Sequence, residues 1–163
     1  MTQSLPQVAH EPHARLLDHI DQMPALADSM LTARSSEVKA GLAEMSAFLS
    51  ETLLPHIDAA ERTVYPELER MFQNRHSMAP MRREHEEIRK HVTVLGGLAR
   101  QLGESQVTIG RTLGLRRVMF QLYALLKVHL AEEEAYLRIV EHGMDTEAAD
   151  VMAAAMEHPV GIG

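Results

Sequence analysis

The residues best suited to chemistry lie in the stretch Leu122–Leu137, where a histidine and a glutamate interrupt an apolar pattern. At about 3.6 residues per turn, this stretch predicts a helix with one leucine-rich face. His129 and Glu133 are four residues apart on that face, so both side chains point into whatever packs against it. A buried carboxylate is costly without compensation. The pair therefore indicates a bound cation, whose other ligands must come from the rest of the chain.

Three more histidines, His13, His56 and His85, fall on the apolar faces of the other predicted helices. The separation from His13 to His56 is 43 residues, and that from His85 to His129 is 44. This repeat predicts two helical hairpins, each of which presents two histidines at one depth. Clustered imidazoles repel when protonated and lack donors when neutral, and a cation resolves both problems. Mixed imidazole and carboxylate ligands suit iron, with manganese or zinc as alternatives.

The elements that would position these residues are amphipathic helices. A core of Leu, Ala, Met, Val and Ile with few aromatic residues favours helix over strand. The pattern predicts an all-α fold, an up-down-up-down antiparallel four-helix bundle with a short C-terminal helix. We expect a flexible leader, one bundle domain, and a short helix with a tail, over residues 1–11, 12–142 and 143–163. The predicted bundle helices cover residues 12–33, 35–73, 80–102 and about 111–142, with proline bends at Pro24 and Pro55.

Composition narrows the class of protein. The net charge of −7 argues against general nucleic-acid binding. The absence of cysteine excludes disulfides, all-Cys zinc sites, Cys-ligated iron–sulfur clusters and a thiol nucleophile. The N-terminal residues lack the pattern of a signal peptide, and no apolar run is long enough to span a membrane. We therefore expect a cytoplasmic protein that binds neither nucleic acid nor membrane.

Familiar enzyme motifs do not occur in the sequence. A ferritin-like site needs a glutamate three positions before a histidine on two helices, and no histidine of this chain has one. The HExxH zinc motif fails because Arg89 stands four residues after His85. No glycine-rich phosphate loop follows a strand pattern. We predict no separate catalytic residues, and an activity that processes peroxide or nitric oxide at the metal site stays open.

Several segments together resemble the hemerythrin-like family, the HHE cation-binding domains. They are His13 in HARLLDHI, the block His56–Pro66 (HIDAAERTVYP), His85 in REHEEIR, and His129–Glu133 in HLAEEE. The resemblance implies a non-haem di-iron centre in a four-helix bundle that binds oxygen, nitric oxide or peroxide, or serves iron handling. It also implies ligand roles for the histidines of these segments and for Glu133, which would bridge the two metal ions.

The sequence departs from that family at the second helix. The family has a glutamate four residues after the histidine, whereas this chain has Ala60 there. Glu61 follows, about 100° around the helix, and a bend at Pro55 would turn it inward, so Glu61 joins the predicted metal ligands. The oxygen carriers also have a second histidine where this chain has Arg89. The alternative to an iron-binding protein is a degenerate, metal-poor bundle that acts as a protein-interaction module.

The remaining histidines receive structural interpretations. His10 lies at the edge of the first helix face and is an alternative to His13, although the repeat spacing favours His13. His19 and His91 each follow a predicted ligand by six residues, which is about 240° around a helix. We therefore expect both to pack or form hydrogen bonds beside the apolar face.

Overall fold

The structure, a computed structural model, describes residues 5–104 and 108–143, and every regular element in these ranges is helical. The prediction of an all-α fold is thus confirmed for this part of the chain. The short helix predicted within residues 143–163 lies outside the described residues. The helices are α1 (Leu5–Ile20), α2 (Met23–Ser29), α3 (Ser35–Phe48), α4 (Leu54–Ala59), α5 (Tyr65–Met71), α6 (Ala79–Glu104) and α7 (Ile109–Gly143), with π-helical segments over Leu49–Leu53 and Ala60–Val64.

The first helical segment starts earlier and breaks more sharply than the sequence predicted. Helix α1 begins at Leu5, so the expected leader over residues 1–11 is helical from that residue onwards. The bend expected at Pro24 is a break, because α1 ends at Ile20 and Pro24 lies in the first turn of α2. A proline ring clashes with the carbonyl four residues earlier, here that of Ile20, and its missing N–H costs nothing in a first turn.

The second segment runs without interruption over residues 35–71 and accommodates two prolines by widening its turns. The N–H groups of Leu54 and Tyr65 each donate to the carbonyl five residues earlier. Pro55 and Pro66 immediately follow these two residues, and the wider turns give their rings room. Each wide turn adds about one residue, so later side chains point about a quarter turn away from their position in an uninterrupted α-helix.

The helices pack around two clusters of buried apolar side chains. Helix α7 contacts α1, α2 and α6 along its length, and α3 packs against α6. The larger cluster includes Ile57, Ile88 and Leu130, and the smaller one includes Met81 and Leu137. Burial of each such side chain contributes about 1.5–3 kcal/mol to folding. Between these clusters along the helices lies a layer of buried polar residues.

No helix within the described ranges combines the length and the apolar character needed to cross a membrane.

Candidate metal centre

Five predicted ligands are buried and lie on four different helical elements. His13 comes from α1, His56 from α4, His85 from α6, and both His129 and Glu133 from α7. Each of these residues is at most 5% exposed. The polar layer therefore brings together residues that are far apart in sequence. They occupy buried positions that apolar side chains fill elsewhere in the core.

The ligand atoms form two groups that share one carboxylate. His13 and His56 form the first group with Glu133, and His85 and His129 form the second with the same Glu133. Within each group the ligand atoms lie within 4.8 Å of one another. Glu133 Oε2 is 3.2 Å from His13 Nε2 and 3.4 Å from His56 Nε2. Each group could hold a metal ion, and Glu133 belongs to both groups.

The histidines are paired as the repeat spacing predicts. The ring centroids of His13 and His56 lie 5.2 Å apart, and those of His85 and His129 lie 4.6 Å apart, both with edge-to-face geometry. The Nε2 atoms of His85 and His129 approach to 3.0 Å. Burial and the neighbouring His129 lower the pKa of His85 to about 4, so this imidazole is neutral at pH 7.

Three of the four histidines bind an outer carboxylate through Nδ1. The Nδ1 atom is 2.7 Å from Glu61 Oε1 in His85, 2.8 Å from Glu84 Oε2 in His129, and 3.2 Å from Glu134 Oε2 in His13. Such partners fix the tautomer, so that Nε2 stays free to bind a metal ion. The sequence pattern did not indicate these roles for Glu84 and Glu134, although each directly adjoins a predicted ligand in the chain.

Glu61 reaches the centre from outside. Its carboxylate accepts hydrogen bonds from His85 Nδ1 and from Arg89 Nη1, the latter at 3.0 Å, while Arg89 also pairs with Asp58 at 2.6 Å. Burial tends to raise the pKa of Glu61, but the hydrogen bonds from Arg89 and His85 lower it overall. In this arrangement Glu61 is an anionic partner of His85 and belongs to neither group of ligand atoms.

Tyr65 also lies inside the centre, although the sequence pattern assigned it no role there. Its Oη atom donates to Glu133 Oε1 at 3.1 Å and lies 3.0 Å from His85 Nε2. The phenol ring is fully buried and stacks on the His85 ring with centroids 5.2 Å apart. Burial raises the pKa of the Tyr65 hydroxyl, and the negative charge of Glu133 raises it further. In the protein without metal, Tyr65 is therefore a neutral hydrogen-bond donor.

The wide turn at Ala60–Val64 explains both the position of Tyr65 and why it escaped prediction. Nine residues separate His56 from Tyr65, which in an uninterrupted α-helix places them on roughly opposite faces. The extra residue of the π-helical turn rotates Tyr65 by about a quarter turn relative to that position. The only sequence signal is Pro66, whose missing N–H favours a local departure from α-helical bonding.

The charges of the centre favour an anionic Glu133 among imidazoles. Burial raises the pKa of Glu133, but the close contacts and charge interactions with His13 and His56 bring it well below its ordinary value. Burial likewise lowers the pKa of His13, yet Glu133 and Glu134 together raise it. For His129, burial is the main cause of a lowered pKa. The buried carboxylate is therefore ionised at neutral pH.

One buried nitrogen of the centre has no hydrogen-bond partner in the described part of the chain, as is typical of a nitrogen that binds a metal ion. His13 Nε2 makes no hydrogen bond with any described residue, although it faces Glu133 Oε2. A cation bound between His13 Nε2 and Glu133 Oε2 would satisfy both atoms. The donor set of imidazole nitrogens and a carboxylate fits a first-row transition metal.

A surface cavity of about 340 Å³ reaches the first group between α1 and α7. His13, Glu134 and Lys127 line it together with the apolar side chains of Leu17 and Leu130. Small molecules could therefore approach the His13 side of the centre.

Two histidines outside the centre, His19 and His91, were expected to pack or form hydrogen bonds beside the apolar face. His19 stacks on Phe48 and its Nδ1 atom contacts the Arg15 carbonyl, and His91 Nδ1 contacts the Glu87 carbonyl. Both therefore pack or form hydrogen bonds as expected. The side chain of His10 lies outside the described part of the chain.

Comparison with known proteins gives one match. The family model of the hemerythrin HHE cation binding domain matches residues 7–108, more than half of the chain. This range includes His13, His56 and His85, whereas His129 and Glu133 follow it. Searches of curated proteins and of solved structures found no match.

Proposed function

Because the chain belongs to the hemerythrin HHE cation-binding family, we propose that it is a non-haem iron protein with two iron ions per chain. The observation that carries the proposal is the convergence of two buried histidine pairs on Glu133. We further propose that the four helical segments form an up-down-up-down bundle around this centre.

In this proposal each histidine pair holds one iron ion. His13 and His56 would hold the first, His85 and His129 would hold the second, and Glu133 would contribute to both. Iron suits this set of imidazole and carboxylate ligands, with manganese and zinc as alternatives. Glu61 orients His85 through Nδ1, and direct binding of Glu61 to a metal would require its carboxylate to leave Arg89 and His85.

The iron centre would supply a coordination position for oxygen, nitric oxide or peroxide, or would serve iron homeostasis. The protein contributes three things to this role. The cavity beside His13 admits a small molecule, the apolar clusters on either side of the polar layer keep water out, and the outer carboxylates hold the imidazoles in one tautomer. We propose no separate catalytic residue.

The test is ferrous iron binding without oxygen by the wild-type chain, by His129→Ala and by the matched variant His91→Ala. His91 lies on α6, and among the described residues its hydrogen bond is an exposed one to the Glu87 carbonyl of the same helix. We expect His129→Ala to lose at least one bound iron ion and His91→Ala to lose none. Full iron occupancy in His129→Ala would overturn the site assignment. A wild-type chain that binds no iron would favour the metal-poor interaction module.

A further inference from the structure

We propose that the phenolic oxygen of Tyr65 is a direct ligand of the second metal ion, beside His85, His129 and Glu133. This inference rests on the proposed function, since it adds a ligand to that centre. It assigns a coordinating role to a residue type that neither the family resemblance nor the spacing of the histidines brought into the site.

The distances around Tyr65 Oη carry the inference. The atom lies 3.0 Å from His85 Nε2 and 3.1 Å from Glu133 Oε1. Nitrogen and oxygen ligands bind transition metals at about 2.0–2.2 Å, so neighbouring ligands of one metal ion lie roughly 3 Å apart. The phenol oxygen thus already has the spacing of a third ligand beside two proposed ones.

The two oxygens of Glu133 have different nearest neighbours. Oε2 lies 3.2 Å from His13 Nε2, 3.4 Å from His56 Nε2 and 3.9 Å from His129 Nε2, whereas Oε1 accepts the hydrogen bond of Tyr65. A bridging carboxylate gives one oxygen to each metal ion, so Tyr65 belongs with the ion on the Oε1 side. His85 stands on that side too, because its Nε2 contacts the same phenol oxygen.

The helix that carries Tyr65 lacks the carboxylate that the family has there. Ala60 is fully buried and offers no ligand atom, while Arg89 and His85 hold Glu61 outside the centre. The wide turn that begins at Ala60 brings Tyr65 inward instead. The same helical segment thus still supplies an oxygen atom to the centre. It comes from Tyr65, one turn after Ala60.

Coordination requires the loss of one proton and no change of oxidation state. The Tyr65 O–H bond breaks, an oxygen–metal bond forms, and the proton leaves to solvent. Before metal binding this O–H donates to Glu133 Oε1. The guanidinium of Arg82 lies over the phenol ring, 5.4 Å from its centroid, and places a positive charge close to it.

The test uses optical spectroscopy of the iron-loaded protein. Wild-type chain, Tyr65→Phe and the matched variant Tyr136→Phe are loaded with ferrous iron without oxygen and then oxidised in air. Tyr136 packs against Phe72, away from the ligand groups. A phenolate bound to ferric iron gives a visible charge-transfer band and enhanced ring vibrations in resonance Raman spectra. We expect both signals in wild type and in Tyr136→Phe, and their loss in Tyr65→Phe.

The outcomes separate this inference from the proposed function. Iron-loaded wild type without a phenolate signal, or a signal that persists in Tyr65→Phe, overturns the role of Tyr65 and leaves the iron centre intact. A wild-type chain that binds no iron overturns both. If Tyr65→Phe does not fold, wild-type protein grown with ring-deuterated tyrosine decides, because a bound phenolate shifts its Raman bands on deuteration and an unbound one gives no enhanced bands.

Discussion

His85 Nδ1 lies 2.7 Å from Glu61 Oε1, on the opposite side of the imidazole from the Nε2 atom that faces Tyr65 and His129. Arg89 holds the same Glu61 oxygen at 3.0 Å. The positive charge of Arg89 thus compensates the Glu61 carboxylate outside the two ligand groups. Glu61 in turn accepts the hydrogen bond of His85 and so keeps the His85 proton on Nδ1. Glu61 acts on the centre through the orientation and basicity of His85.

Replacement of Glu61 by glutamine should weaken the second metal position without abolishing it. Loss of an outer carboxylate partner typically lowers metal affinity about 10–100-fold. Asp58→Asn is the control, because Asp58 contacts Arg89 but no histidine. Titration with ferrous iron should show weaker binding for Glu61→Gln and a near wild-type affinity for Asp58→Asn. Complete loss of one iron ion would instead support Glu61 as a direct ligand.

Glu84→Gln should have a similar effect through His129. Glu84 Oε2 is 2.8 Å from His129 Nδ1, whereas Glu86, two residues later on the same helix, is exposed. We expect about 10–100-fold weaker iron binding in Glu84→Gln and no significant change in Glu86→Gln. Equal affinities of the two variants, measured in one titration series, would argue that Glu84 does not orient His129.

Acid should destabilise the metal-free protein between pH 6.5 and about 4. Burial and His129 lower the pKa of His85 to about 4. In this pH range His85 is therefore protonated in the unfolded chain and neutral in the folded chain. The stability linked to His85 is fully present above pH 6.5 and is lost as the pH falls towards 4. The stability linked to the raised pKa of His13 is lost only as the pH rises above 6.5, so it stays nearly constant over this interval.

Urea unfolding of metal-free wild type and His85→Gln at pH 6.5 and pH 5 isolates that contribution. Wild type should lose up to about 2 kcal/mol more than the variant over this interval, at about 1.4 kcal/mol per pH unit. His91→Gln should behave like wild type. An equal pH-dependent loss in wild type and His85→Gln would contradict the lowered pKa of His85.

Removal of the metal should lower thermal stability. A ligand present at one hundred times its dissociation constant stabilises the folded state by about 2.7 kcal/mol. For a domain of this size, that corresponds to a fall in Tm of about 5–10 °C after treatment with a chelator. Calorimetry of the loaded and chelated protein measures the change, and indifference to the chelator would support the metal-poor alternative.

Most of the centre was predictable because its histidines follow regular periods. The 43- and 44-residue separations placed His13 with His56 and His85 with His129, and the apolar face of α7 singled out Glu133. These predictions depend only on α-helical geometry and on an even repeat of helical segments. The family assignment followed from the same residues and is confirmed by the family model.

The features that the sequence did not predict are of two kinds. In some the backbone departs from a regular α-helix, and in others a long side chain contacts a residue of another helix. The wide turn that begins at Ala60 brings Tyr65 inward, and α-helical periodicity does not predict such a turn. The contacts of Glu84 with His129 and of Glu61 with Arg89 join residues of different helices, so no local pattern records them. The early start of α1 at Leu5 was hidden by a polar sequence with weak apolar periodicity.

The most direct test of the account is the number and coupling of iron ions in the wild-type chain, measured by metal analysis and Mössbauer spectroscopy after anaerobic loading and oxidation. Because Glu133 is placed between both histidine pairs, we predict about two iron ions per chain that are magnetically coupled through a shared bridge. One iron ion per chain, or two uncoupled ferric ions, would contradict the claim that Glu133 bridges a di-iron centre.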